Sequence, residues 1–97
     1  MIKNDTGDSF DSVHEFTIHN LTVLRSAYDN AMFAYTSGYF REALFSFGII
    51  RKECISLLDS VEPRYRNDFL IGGALSTYYM DKCRTFLFPD GGYDAVD

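Results

Sequence analysis

Gly38-Tyr-Phe40-Arg-Glu-Ala43-Leu44-Phe-Ser-Phe47-Gly-Ile-Ile50-Arg-Lys-Glu-Cys54-Ile-Ser-Leu-Leu58 is the stretch that decides the fold. Phe40, Ala43, Leu44, Phe47, Ile50, Cys54 and Leu58 recur at helical spacing and share one face, so the segment reads as an amphipathic helix. Gly38 stands just before it, in the place a glycine takes after the last turn of a preceding helix. Pro63 disfavours helix in the residue before it, so the helix is expected to stop near Ser60.

The same periodicity continues on both sides. Upstream, Ser12-Val-His-Glu15 fits a capping box, and a helix can run from there to about Ser37. Its stripe is Leu21, Leu24, Tyr28, Ala31, Met32 and Tyr35. Residues 13 to 19 stay open between helix and a short extended piece, because Phe16-Thr-Ile18 alternates and carries β-branched side chains. Downstream, Pro63 suits a first turn. Either the third element is helical from that proline, or a short turn at Pro63 to Arg66 leads into a helix capped by Asn67 or Asp68. Phe69, Gly72, Leu75, Tyr79, Met80, Cys83 and Phe86 then share a face, and Pro89-Asp-Gly-Gly92 ends it. Short connections make the helices antiparallel neighbours. The expected fold is all-α, a three-helix antiparallel bundle built on a helical hairpin.

A chain of 97 residues suits one domain. It carries a net charge of -5, and all of that excess lies in the ends. Residues 1 to 11 balance to -2 and residues 90 to 97 to -3, while residues 12 to 89 hold eight acids and eight bases. The two ends are therefore expected as acidic flexible tails around a neutral helical domain at 12 to 89. No apolar run approaches the roughly 20 residues of a bilayer span, and the charge does not suit a phosphate backbone, so neither membrane nor direct nucleic-acid contact is expected. Met1-Ile-Lys-Asn-Asp5 has no apolar core of a signal peptide, which points to a cytoplasmic protein with Cys54 and Cys83 as free thiols.

The helices carry more apolar surface than a bundle needs. On a wheel of about 100° per residue, Phe33 falls on the polar side of the first helix. Phe45 and Ile49 lie opposite the Phe47 stripe of the second, and Ile71, Ala74 and Tyr78 opposite the Leu75 and Cys83 stripe of the third. Sixteen residues are Phe or Tyr, a large load for so small a core. Phe33, Phe45, Ile49, Ile71, Ala74 and Tyr78 are accordingly the candidate contacts with another chain. Gly72 and Gly73 each cost about 1 kcal/mol relative to Ala inside a helix, which is easier to understand where a second backbone comes close. A kink, or a helix starting after Gly73, would explain them equally.

No catalytic, metal or cofactor residue emerges. His14 and His19 are five apart, about 140° round a helix, and do not make the i, i+4 pair that zinc needs. Pairing of His14 with Asp11, or of His19 with Glu15, on a helix surface is the simpler role. Cys54 and Cys83 fall on core stripes, where a thiol behaves as a small hydrophobe. An enzyme is not expected.

Two resemblances add to this. Gly38-Tyr-Phe40-Arg-Glu-Ala43-Leu44-Phe-Ser-Phe47 resembles the second half of a tetratricopeptide repeat, with Ala31 and Ala34 at small positions of its first helix. The repeat's terminal proline is replaced by Ile55 and no second copy follows, so the likeness implies a helical hairpin with Ala43 at the crossing. The chain as a whole resembles the small helical antiactivators of bacterial quorum sensing, the QslA type. That resemblance implies a cytoplasmic protein that binds a LuxR-type transcription factor, covers its dimerisation surface and stops it binding DNA. The expected function is thus a protein-interaction module, a homodimer, that sequesters a regulator. A secretion or assembly chaperone presenting its hairpin to a client is the alternative, and a small ligand-binding domain with Tyr28, Tyr35 and Tyr79 around a pocket is another.

Overall fold

The computed structural model describes residues 5–90, with side chains described from Ser12 onward. It is a three-helix antiparallel bundle, without strands among the described residues: α1 spans Asp5–Thr36, α2 Phe40–Leu57 and α3 Arg66–Leu87. A 3-10 turn at Pro63–Tyr65 precedes α3.

The α1–α2 turn forms as the glycine suggests. Gly38 sits at φ 86, a left-handed conformation that costs glycine little. The Tyr39 N–H donates to the Ala34 carbonyl at 2.8 Å and the Gly38 N–H to that of Tyr35 at 3.1 Å. This pair of bonds is the Schellman closure, which satisfies carbonyls that the helix end would leave free. The chain turns back at once, and α2 packs against α1.

α1 is longer than the capping box implied. It is already helical at Asp5, so Ser12 lies inside the helix and caps nothing. The expected tail at residues 1 to 11 is helical from Asp5; residues 1 to 4 and 91 to 97 lie outside the described residues. Residues 13 to 19 are helix. Thr17 and Thr22 donate their hydroxyls to the carbonyls of Val13 and Ile18, four residues back, the arrangement open to Ser and Thr inside a helix.

α2 is the central helix. Ala43, Phe47, Ile50 and Cys54 are buried along it, which is the stripe read from the sequence. They meet Ala31 of α1 and Phe69 and Cys83 of α3 in one core. At one end the rings interlock. Phe47 stacks on Tyr79 at 5.3 Å, Tyr79 meets Tyr35 edge-on at 5.1 Å, and Phe40 stacks on Phe86 at 4.4 Å.

α3 begins at Arg66, after the 3-10 turn, with Tyr65 at its N-cap. Neither Asn67 nor Asp68 caps it. Its buried side is also turned from the expected one. Phe69, Gly73, Ser76 and Cys83 are buried, whereas Leu75 and Phe86 are 42% and 55% exposed. The cause is close approach to α2. A Cβ on Gly72 would stand 3.1 Å from the Cys54 Sγ, and one on Gly73 3.7 Å from the Cys54 Cβ. What nears these glycines is therefore the Cys54 side chain, on α2 of the same chain. α3 runs through both without starting anew.

Candidate interaction surface

The neutral body of the protein presents its surplus apolar residues on three separate helix faces. Phe33 on α1 is 70% exposed and Phe45 on α2 is 72% exposed. Tyr78 is 53% exposed, Ile49 and Ile71 are about half exposed, and Ala74 is exposed as well. The structure thus places all of the sequence-derived contact residues in solvent, outside the core. It does not gather them into one patch.

The α3 face is the most extended. Leu70, Ile71, Ala74, Leu75 and Tyr78 are all exposed and follow one another along the helix at i, i+1, i+4, i+5 and i+8. Leu70 and Leu75 were not among the sequence-derived contacts. Leu70 was legible, since Leu70, Ala74 and Tyr78 repeat at i, i+4, i+8. Leu75 stands only about 40° from Ile71 round the helix and belongs to this face, so the expected opposition of Ile71 to Leu75 does not hold. On α2, Phe45 and Ile49 stand among Glu42, Lys52 and Ser56, all exposed. Phe33 is alone on the polar side of α1, turned from Tyr28 and Tyr35, which face the core.

A groove runs along each side of the α3 strip. One, about 350 Å³, lies between α1 and α3. Ile50 and Cys54 form its floor, Leu24, Tyr28, Ile71 and Leu75 its walls, and Arg25, Asp29 and Asp68 also border it. Of the three tyrosines expected around a pocket, Tyr28 lines this groove, while Tyr35 and Tyr79 belong to the ring cluster. The other groove, about 200 Å³, lies between α2 and α3, with Ile55, Leu58, Leu70 and Ala74 along it. Arg51 crosses here and its Nε donates to Thr77 Oγ1 at 3.0 Å.

The polar chemistry lies where α1 meets the segment before α3. His14 Nδ1 is 2.8 Å from Glu62 Oε1, with Arg64 Nε 3.7 Å from the same oxygen. The Glu62 N–H donates to the Thr17 hydroxyl at 2.9 Å. His14 therefore pairs across the fold with Glu62, and this clamp holds α1 to the segment before α3. Among the described residues, no group of three or more His, Cys, Asp or Glu is placed to hold a metal ion. Cys54 and Cys83 are buried free thiols. Burial pushes both thiol pKa values up; Glu53 adds to this at Cys54, while Arg84 opposes it at Cys83. Both are protonated and weakly nucleophilic at neutral pH. Burial likewise raises the Tyr28 phenol, with Tyr79 and Asp29 adding to it. The Ser76 hydroxyl is fully buried and has no hydrogen-bond partner among the described residues.

Among the described residues, no helix is long and apolar enough to cross a membrane. Comparison with family models, curated proteins and solved structures gives no match.

Proposed function

We propose that this chain is a non-enzymatic protein-interaction module that sequesters a regulatory protein in the cytoplasm and works as a homodimer. The observation that carries this is the exposure of Phe33, Phe45, Ile49, Ile71, Ala74 and Tyr78 on faces turned away from a complete core. Isolated apolar side chains on a surface are ordinary, but runs at helical spacing on two helices bury readily against another helix face. Aromatic residues favour such contacts, because they add area at little cost in conformational entropy. The body around them is neutral, so association is apolar and weakly salt-dependent.

The resemblance to QslA-type antiactivators supplies the partner, a LuxR-type transcription factor. The mechanism is steric competition. An apolar helix face on this chain covers the surface by which the regulator pairs with its own copy, and the unpaired regulator loses its hold on DNA. No cofactor takes part.

A mobility-shift titration tests this. A LuxR-type regulator from the same cell is bound to its operator, and the protein is added up to stoichiometric excess. DNA release is expected at near-equimolar protein and is lost with Phe45→Asp. A regulator that stays on its operator at large excess of wild-type protein refutes the proposal.

A further inference from the structure

We infer that the outer face of α3 is the seat of a second copy of this chain, packed antiparallel about a two-fold axis at Ala74 and Leu75. This assignment rests on reading the surplus helix faces as contacts with other chains, and it selects the α3 face for self-association.

Three features of α3 point to it. The first is area. Leu70, Ile71, Ala74, Leu75 and Tyr78 together expose roughly 500 Å², the size of the largest apolar patch on a typical monomer, which is often a functional one. Two such faces bury about 1,000 Å² when joined, the lower bound for a specific interface. The expected association is therefore micromolar.

The second is shape. Ala74 is the smallest side chain of the strip and lies at its middle, so two helices can approach closely there. Tyr78 of one copy then meets Ile71 of the other, and the reverse contact follows by symmetry. A two-fold interface needs this self-complementary order, in which residue i meets j and j meets i.

Charge is the third. Asp68 and Lys82 stand at opposite ends of the strip, on the same flank, and are equidistant from Leu75 in sequence. Asp68 makes no ion pair among the described residues. Lys82 has its Nζ 5.4 Å over the Tyr78 ring. Asp81, by contrast, is engaged by Arg84 at 3.2 Å. A two-fold axis between antiparallel helices keeps matching flanks together. Centred on Leu75, it sets Asp68 of each copy beside Lys82 of the other and forms two ion pairs between the copies. Parallel pairing about a two-fold axis would put these flanks on opposite sides of the seam and form neither pair. Rim charges of this kind select register and partner more than they add affinity.

Charge reversal with rescue tests the assignment, read as mass by light scattering or sedimentation across the micromolar range. Wild-type protein is expected to be a dimer. Asp68→Lys and Lys82→Asp each oppose like charges at both ends, and each should weaken the dimer about 10-fold. The double variant restores opposite charges and should return the dimerisation constant to within about twofold of wild type. In parallel, Ala74→Cys should yield a disulfide-linked dimer on mild oxidation, since residues at the axis are the ones close enough to bridge. Phe45→Cys, on the α2 face, should not. A wild-type monomer at high micromolar concentration, reversals without effect, a double variant that fails to recover, or cross-linking through Phe45→Cys in place of Ala74→Cys overturns the assignment. A monomer that still releases the regulator from DNA would sink the dimer face alone and leave sequestration standing. The converse result would separate the two the other way.

Discussion

Phe45 and Phe47 stand two residues apart on α2 and have opposite fates. Phe47 is 0% exposed, whereas Phe45 is 72% exposed. Aspartate at each asks what each ring is for. An aromatic side chain buries on the order of 200 Å² when fully enclosed, so Phe45 hides only about 50 to 60 Å² in the free chain. At about 25 cal/mol per Å² this is about 1.5 kcal/mol at most, and less once residual burial in the unfolded chain is allowed for. Phe and Asp have similar helix propensities, so nothing large is added. Phe45→Asp is therefore expected to lower stability by about 1 kcal/mol and to leave the helical spectrum unchanged. Phe47→Asp loses the whole transfer and cavity term, about 3 to 5 kcal/mol, and also buries a carboxylate against Tyr28 and Tyr79. That loss is comparable with the entire stability of a small domain, and the chain should not fold. Urea melts followed by circular dichroism read both. A Phe45→Asp loss above about 3 kcal/mol would show that the Phe45 face is core. A folded Phe47→Asp would show that the aromatic cluster is not.

Thr17→Val removes the hydroxyl that accepts the buried Glu62 N–H and should cost about 1 to 3 kcal/mol in denaturant melts. Thr22→Val, whose hydroxyl is exposed, should cost less than about 0.5 kcal/mol. Gly72→Val presses a side chain onto the Cys54 Sγ and should destabilise the protein. Adding Cys54→Ala should recover part of that loss, and the recovery is measured as a coupling energy in a double-mutant cycle. Stability should also fall in alkali. The thiols of Cys54 and Cys83 have folded pKa values above their ordinary 9.0, so the unfolded chain loses its thiol protons first. Their contribution is whole below pH 9 and is lost as pH rises toward the folded values, with Tyr28 adding a similar loss above its ordinary 10.0. Melts from pH 7 to 11 check this, and Cys54→Ala with Cys83→Ala should flatten the first part of the fall.

The turn and the α2 stripe were legible because local chemistry decides them. Gly38 marks a left-handed residue, and Ala43, Phe47, Ile50 and Cys54 mark the only face of α2 rich enough to be core. The exposed positions of Phe45 and Ile49 follow from the same wheel. The α3 stripe was misread because hydrophobicity is a poor guide where small residues are buried. Gly73 and Ser76 lie in the interface since α2 comes close, and that distance is a property of two helices together. Leu75 and Phe86 are pushed outward as a result. The start of α1 was missed because Ser12 and Glu15 form a valid capping pattern inside a longer helix. The His14–Glu62 pair joins residues 48 apart, and no spacing rule reaches it.

Calorimetric titration of a LuxR-type regulator with wild-type protein, Phe45→Asp and Ile49→Asp tests sequestration through the α2 face most directly. A saturable complex with wild type is predicted, weakened about 10-fold or more by each aspartate while the helical spectrum stays unchanged. Wild-type affinity in both folded variants, or no complex with wild type, would contradict it.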